Sequence, residues 1–379
     1  MEFKCDLVLS EQDSLYAASK IEEYYINFED MSDYLRTVKL ERVDKMPKPL
    51  FGMSVSDDFF SDFTISPQDM NFQIFEPTGD VYDNYLEVVT SHALEKSIPG
   101  RSLKLLVKET NTNKVVGFIR LSSPMMNIKP RNDYFGEILG PKQMPVFNKH
   151  AIMGFCIVPV QPFGYNYLGG KLLALLCVCH EVREMLNNKY DMELCHFETT
   201  SLYGSSKSMS QYDGLKPFIK GAGLTESNFA PLINDVHFRK LEKFFIDRND
   251  GNPIVWENAS SRKMKSQAKM ISIIKKSLKG VNDDAYQKFC EVIDNAKSLQ
   301  ERKRYYTSDC GFSNTKEVIL GRQTELVKKE NYDRYSMEEM VNWWKKKATN
   351  RFETLNQDGR LRNTLEVWNE NPDDIDIIR

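Results

Sequence analysis

Histidine is scarce. Only five occur in 379 residues, and none of His92, His150, His180, His196 or His237 stands at i, i+4 from another histidine or at ligand spacing from a cysteine pair. His180 and Cys177 share a helix face at i, i+3 but bring no third or fourth ligand, so no metal is expected. The seven cysteines are scattered and include no Cys-x-x-Cys pair, which argues against a disulfide framework and for a reducing compartment. There is no Walker loop, no nucleophile elbow and no Cys–His signature. No apolar run reaches the ~18 residues that a membrane-spanning helix needs. The longest, 168–178, contains Lys171. The first residues lack the basic-then-apolar order of a secretory signal. The expectation is a cytoplasmic protein without membrane association. Internal repeats and low-complexity tracts are also missing.

What is present is the balance of a globular chain, 41% hydrophobic and 28% charged residues. The length fits two or three compact units. The net charge of -3 is unevenly spread. Residues 1–100 hold 20 acids against 8 bases, and residues 256–351 hold 13 acids against 21 bases. An acidic front and a basic rear point either to a nucleic-acid partner or to solvated, lysine-rich helix faces.

Along the chain, 11–25 has helical spacing, with Leu15, Ala18, Ile21 and Tyr25 on one side. Residues 57–63 form an acidic, Phe-rich loop with aromatic anchors. Residues 71–75 alternate as a strand, and 82–94 follow as an amphipathic helix. Two β-rich runs, 103–109 and 115–121, flank the polar turn Asn111-Thr-Asn-Lys114 and predict a hairpin. A long polar connection leads to 151–158, whose nearly unbroken apolar character is that of a central strand covered on both faces. A turn, a buried helix over 168–187, a strand over 193–199 and a helix near 207–218 follow. Basic helices are expected over 260–278, 283–305, 316–330 and 336–355, the last opened by the capping box Ser336-Met-Glu-Glu339. The organisation expected is an N-terminal extension (1–70), an α+β domain (71–250), a mainly helical basic region (251–355) and an acidic tail (356–379) that frays over 369–376.

The turn after 151–158 reads Val158-Pro-Val-Gln-Pro-Phe-Gly-Tyr-Asn-Tyr-Leu-Gly-Gly-Lys171. A helix that starts here offers unpaired N–H groups and a positive dipole end to an anion. The order of elements and this turn resemble acetyltransferases of the GNAT type. That resemblance implies a mixed sheet with flanking helices and acyl-CoA as cofactor, held by Gln161, Gly164, Asn166, Gly169, Gly170 and Lys171. Two registers of the family's Gln/Arg-x-x-Gly-x-Gly/Ala signature fit, one on Gln161, Gly164 and Asn166, the other on Gly164, Tyr167 and Gly169. Alternatively, Gly169 and Gly170 serve only close packing of helix on sheet.

A second resemblance spans about 100–225. Its motifs are Val116-Gly-Phe-Ile-Arg-Leu-Ser-Ser123, Lys129-Pro-Arg-Asn-Asp-Tyr-Phe-Gly136, Phe155-Cys-Ile-Val-Pro159, Glu198-Thr-Thr200 and Tyr212-Asp-Gly-Leu215. In this order they resemble the GNAT-like domain of DruA, a component of Druantia-type antiphage systems that is also seen in phage and mobile-element proteins. The resemblance implies a setting in phage–host conflict rather than a reaction.

Glu198, at the end of a strand beside this turn, has the chemistry of a general base, and Tyr203 or Tyr212 that of an acid. The alternative is a carboxylate that holds loop N–H groups. Arg302, Lys303 and Arg304 stand beside Tyr305 and Tyr306, and Trp343 stands beside Lys345, Lys346 and Lys347. Cations interleaved with aromatics suit phosphate contact and base stacking, or else a helix anchored by tryptophan with solvated lysines. Two functions follow: an acyltransferase-like enzyme acting on nucleic acid, as in DNA modification, or a non-catalytic nucleic-acid- or protein-binding module that keeps the fold without the cofactor.

Overall fold

The hairpin, the apolar strand and the strand near 193–199 share one mixed sheet in the computed structural model. The structure describes residues 5–45, 58–91, 100–201, 209–225, 230–259, 261–299, 303–368 and 375. The early elements are helices α1 (Glu11–Tyr25) and α2 (Met31–Val43), strand β1 (Phe72–Phe75), helix α3 (Val81–Val89), and strands β2 (Ser102–Glu109) and β3 (Lys114–Ser122). After α4 (Lys129–Phe135) and α5 (Gln143–His150) come β4 (Ala151–Pro159), α6 (Phe163–Asn166), α7 (Gly169–Leu176), α8 (His180–Tyr190), β5 (His196–Ser201) and β6 (Lys220–Leu224). The remainder holds α9 (Asp235–Arg248), α10 (Arg262–Leu278), α11 (Asp283–Ser298), β7 (Arg304–Ser308), α12 (Thr315–Ile319) and α13 (Met337–Gln357).

The strands lie in the order β1-β2-β3-β4-β5-β7-β6, and every neighbouring pair is antiparallel except β4 with β5. β3 and β4 are buried almost along their whole length. Leu172 and Leu173 of α7 cover one face together with Trp344 of α13. Tyr82, Leu86 and Val89 of α3 cover the other with Val367. Gly117 of β3 makes the close approach of α7 possible, because a Cβ there would lie 2.4 Å from Leu173 Cδ1. Leu173 is itself fully buried, so Gly117→Val is expected to cost about 1–3 kcal/mol through overpacking, read as a lower midpoint in chemical denaturation.

Several expectations need correction. The helix at 168–187 is two helices, α7 and α8: the last turn of α7 tightens, with Val178 and Cys179 N–H donating to Leu175 O and Leu176 O three residues back. Cys179 is extended and starts α8. Near 207–218 the described residues, 209–218, make turns instead of a helix. The Ser210 hydroxyl accepts from the Tyr212 N–H and the Asp213 carboxylate accepts from the Ser210 N–H, local bonds that compete with a helix. The helix expected over 283–305 ends at Ser298, and Arg304–Ser308 is a strand, as its Tyr-Tyr-Thr core favours. The helix expected over 316–330 stops at Ile319, where left-handed Gly321 follows. Before the stretch expected to fray, Val367 and Trp368 are buried, and the Trp368 indole N–H donates to Thr90 O at 2.5 Å; of 369–376 only Ile375 is among the described residues. The aromatic anchors expected in 57–63 are Phe59, Phe60 and Phe63, all buried. All seven cysteines are unpaired.

Contacts divide the chain into two units, residues 1–38 with 227–301 and residues 39–226 with 302–379, and α2 crosses the division. The first unit packs α1 with α9, α10 and α11 around Ile21, Phe245, Met270, Ile274 and Phe289. Here the acidic front meets the basic rear: Arg248 pairs with Asp13 at 2.9 Å, Lys288 with Glu22 at 2.7 Å, and Asn282 Nδ2 donates to Glu11 at 3.0 Å. This unit holds 19 acids against 16 bases and the sheet unit 35 against 35, so the charge asymmetry along the chain does not survive folding.

Candidate functional site

β4 and β5 pair only at their first residues, from Ala151↔His196 to Gly154↔Thr199. Beyond that point Cys156–Pro159 of β4 pair with β3 alone, while Thr200 and Ser201 pair with β7. The register shift that leaves Phe155 unpaired is a bulge, which bends a strand away from its neighbour. A gap therefore opens between two parallel strands, and the turn 160–168 with α7 leaves from its mouth.

The structure brings the six residues assigned to acyl-CoA onto this one turn and commits them to other partners. The N–H groups of Gly164, Asn166 and Tyr167 donate to the carbonyls of Val160, Pro162 and Phe163. A Cβ on Gly164 would lie 2.3 Å from Gln161 Nε2, so the Gln161 side chain lies against the turn. Asn166 is fully buried and clamps the Arg362 backbone: its Nδ2 donates to Arg362 O at 2.7 Å, and its Oδ1 accepts from Arg362 N at 3.0 Å. Gly169 packs on the Phe163 ring, where a Cβ would fall 2.4 Å from Cδ1. Gly170 packs on Gln211, 2.2 Å from Oε1 by the same measure. Gln211 in turn enters the gap and donates from Nε2 to Ile157 O at 3.1 Å. Lys171 donates to the carbonyls of Gln211, at 3.2 Å, and of Asp213. Burial lowers the Lys171 pKa, and repulsion from Lys347 adds to this against the pull of Asp213. Only the first-turn amides of Gly169 and Gly170 lack an acceptor within their own helix by position. The turn as arranged does not fit a pyrophosphate unless the Gln211 side chain leaves the gap.

Glu198 lies on β5 with no exposure to solvent. Its Oε1 accepts from Arg131 Nη1 at 3.1 Å, and its Oε2 accepts from the Tyr305 hydroxyl at 2.7 Å. Burial, then the Glu198 charge, push the Tyr305 phenol well above its ordinary pKa. Arg131, also fully buried, donates to Met125 O and Met126 O, each at 2.7 Å, and lies 4.6 Å from the Phe147 ring centre. His196 completes the cluster 3.7 Å from Glu198. Tyr212 is buried with its ring 5.0 Å from Tyr306, and burial raises its phenol pKa. Tyr203 lies outside the described residues. Arg131, Tyr305 and His196 are members that the sequence did not assign to this cluster, although Lys129-Pro-Arg-Asn132 had marked the segment of Arg131.

The cationic residues scatter. Arg304 pairs with Asp213 at 3.1 Å, Lys303 is exposed, and Arg302 lies outside the described residues. Lys345 turns inward to donate to Gln68 O at 2.9 Å, while Lys346 and Lys347 are exposed. Trp343 is half-buried, edge-on to Phe218 at 5.8 Å, with Lys347 Nζ 4.8 Å from its ring centre. Among the described residues no group of three or more His, Cys, Asp or Glu is arranged to hold a metal, and no helix is long and apolar enough to cross a membrane.

Residues 68–207 match the sequence model of the family described as Druantia protein DruA. The match covers β1 through β5, with the turn and Glu198 inside it. No curated protein and no solved structure shows significant similarity to the chain.

Proposed function

We propose that this chain is a binding component of antiphage defence, a GNAT-like sheet whose acyl-carrier position is filled by its own side chains and whose partner is nucleic acid. The match to the DruA family supports the setting. The strand order, with one parallel pair that parts at the turn, supports the GNAT-like reading. The observation that carries the binding role is the filled gap: Gln211 against Gly170 and Ile157, with Lys171 spent on two carbonyls. A base for acyl transfer must also reach its substrate, and Glu198 is sealed between Arg131 and Tyr305.

One feature favours the acyltransferase alternative, namely that the amides of Gly169 and Gly170 open α7 at the gap. Calorimetry separates the two readings. The unaltered chain is expected to show no heat with coenzyme A or acetyl-coenzyme A, and to retard oligonucleotides in a gel shift at low salt. Micromolar coenzyme A binding, abolished by Gly170→Leu, would instead establish the enzyme reading.

A further inference from the structure

With both units near neutral, a nucleic-acid surface has to be local. The outer face of α13 holds Lys346 and Lys347, both exposed, and Arg351, half-buried, one turn beyond Lys347. Among the described residues none of the three pairs with a carboxylate. Arg351 is held in place: its Nε donates to Tyr165 O at 3.4 Å and its guanidinium carbon lies 4.8 Å from the Tyr165 ring centre. Arg362 lies over the same ring at 4.2 Å, carried there by the Asn166 clamp on its backbone. Acids are close as well. Glu366 pairs with Arg362 at 2.9 Å and Asp358 pairs with Arg360, while Glu353 is exposed on α13. Lys347 is close enough to Lys171 to repel it, an effect that the nearer Asp213 offsets.

We infer that Lys346 and Lys347 of α13, with Arg351 and Arg362 over Tyr165, form a surface that binds the phosphodiester backbone of nucleic acid without regard to sequence. The inference rests on the binding reading above and adds the place. A guanidinium fixed over an aromatic ring loses little rotamer freedom on binding a phosphate, although Arg362 has to exchange Glu366 for it. Lysines that face solvent supply point charges whose phosphate contacts release condensed counterions. With its ring occupied by guanidiniums, Tyr165 positions cations and does not stack on bases. The surface therefore takes single and double strands of any sequence, since phosphate contacts carry no sequence information.

The test is fluorescence anisotropy of the full chain with labelled single- and double-stranded oligonucleotides over a salt series. Lys346→Ala combined with Lys347→Ala alters only exposed side chains and should leave the fold intact. It is expected to reduce the salt slope by about 2, so that between about 50 and 200 mM salt the variant loses roughly 16-fold less affinity than the unaltered chain. Arg351→Ala should weaken binding more than Arg351→Lys. Lys275→Ala with Lys276→Ala, on α10, should change neither affinity nor slope. Oligonucleotide binding that the α13 variants leave unaltered would overturn this location and spare the binding reading. No binding to any oligonucleotide at low salt would overturn both. Binding to anionic phospholipid vesicles in place of oligonucleotides would assign the surface to lipid and overturn the inference.

Discussion

Methionine in place of Arg131 is expected to destabilise the sheet unit by about 3–5 kcal/mol, the cost of leaving a buried charge without its partner. Arg131 and Glu198 are both without solvent contact. With the guanidinium gone, the carboxylate keeps only the Tyr305 hydroxyl, and the carbonyls of Met125 and Met126 lose their donors. Arg131 also ties the loop before α4 to the centre of the sheet, so the damage extends to α4 packing. Glu198→Gln keeps an accepting oxygen for Arg131 but leaves its buried charge without a counter-ion, so it should cost nearly as much. Arg131→Met with Glu198→Met removes both charges and should be far less harmful than the sum of the single changes. Urea denaturation followed by far-ultraviolet circular dichroism reads all three. A midpoint for Arg131→Met equal to that of the unaltered chain would show that the pair does not form.

Trp344→Ala is expected to cost about 3–5 kcal/mol, and Trp343→Ala much less, although the two are neighbours. Trp344 is fully buried against Phe72, ring centres 5.2 Å apart and nearly perpendicular, and against Phe163 at 6.3 Å. Its indole N–H donates to Tyr167 O at 3.0 Å and to Leu168 O at 3.3 Å. Leu168 holds a left-handed backbone, φ +54°, where the turn becomes α7. Truncation thus opens a cavity under α13 and frees a turn that a leucine holds at a conformational cost. Thermal unfolding of the two single variants makes the comparison. Equal losses would mean that the two tryptophans share the burial equally.

Where burial leaves a periodic trace, the sequence was legible. Alternation marked β1, two β-rich runs around a polar turn marked the hairpin, and the unbroken apolar run marked β4 as central. β7 escaped because five residues opening Arg-Tyr-Tyr continue a basic helical pattern, and its partners β5 and β6 lie far off in sequence. Arg131 escaped for a related reason: it reads as a surface residue until its acceptor, 67 residues away, is in place. Gln211 carried no signal, since a glutamine in a polar turn says nothing about a gap it fills. The residues of the turn itself were found, but whether their amides were open to a ligand depended on the Asn166 clamp and the Gln211 side chain, which only the fold supplies. The charge asymmetry was read correctly along the chain and lost its meaning once α1 met the basic helices.

That meeting has a consequence during synthesis. α1 leaves the ribosome with its apolar face ready, but α9, α10 and α11 lie about 200 residues further on, inserted between the adjacent strands β6 and β7. At the usual pace of translation, α1 waits roughly 10–40 s for the helices that bury Ile21 and Tyr25. During that interval its exposed face is a target for chaperones, and the first unit closes only after most of the sheet has emerged.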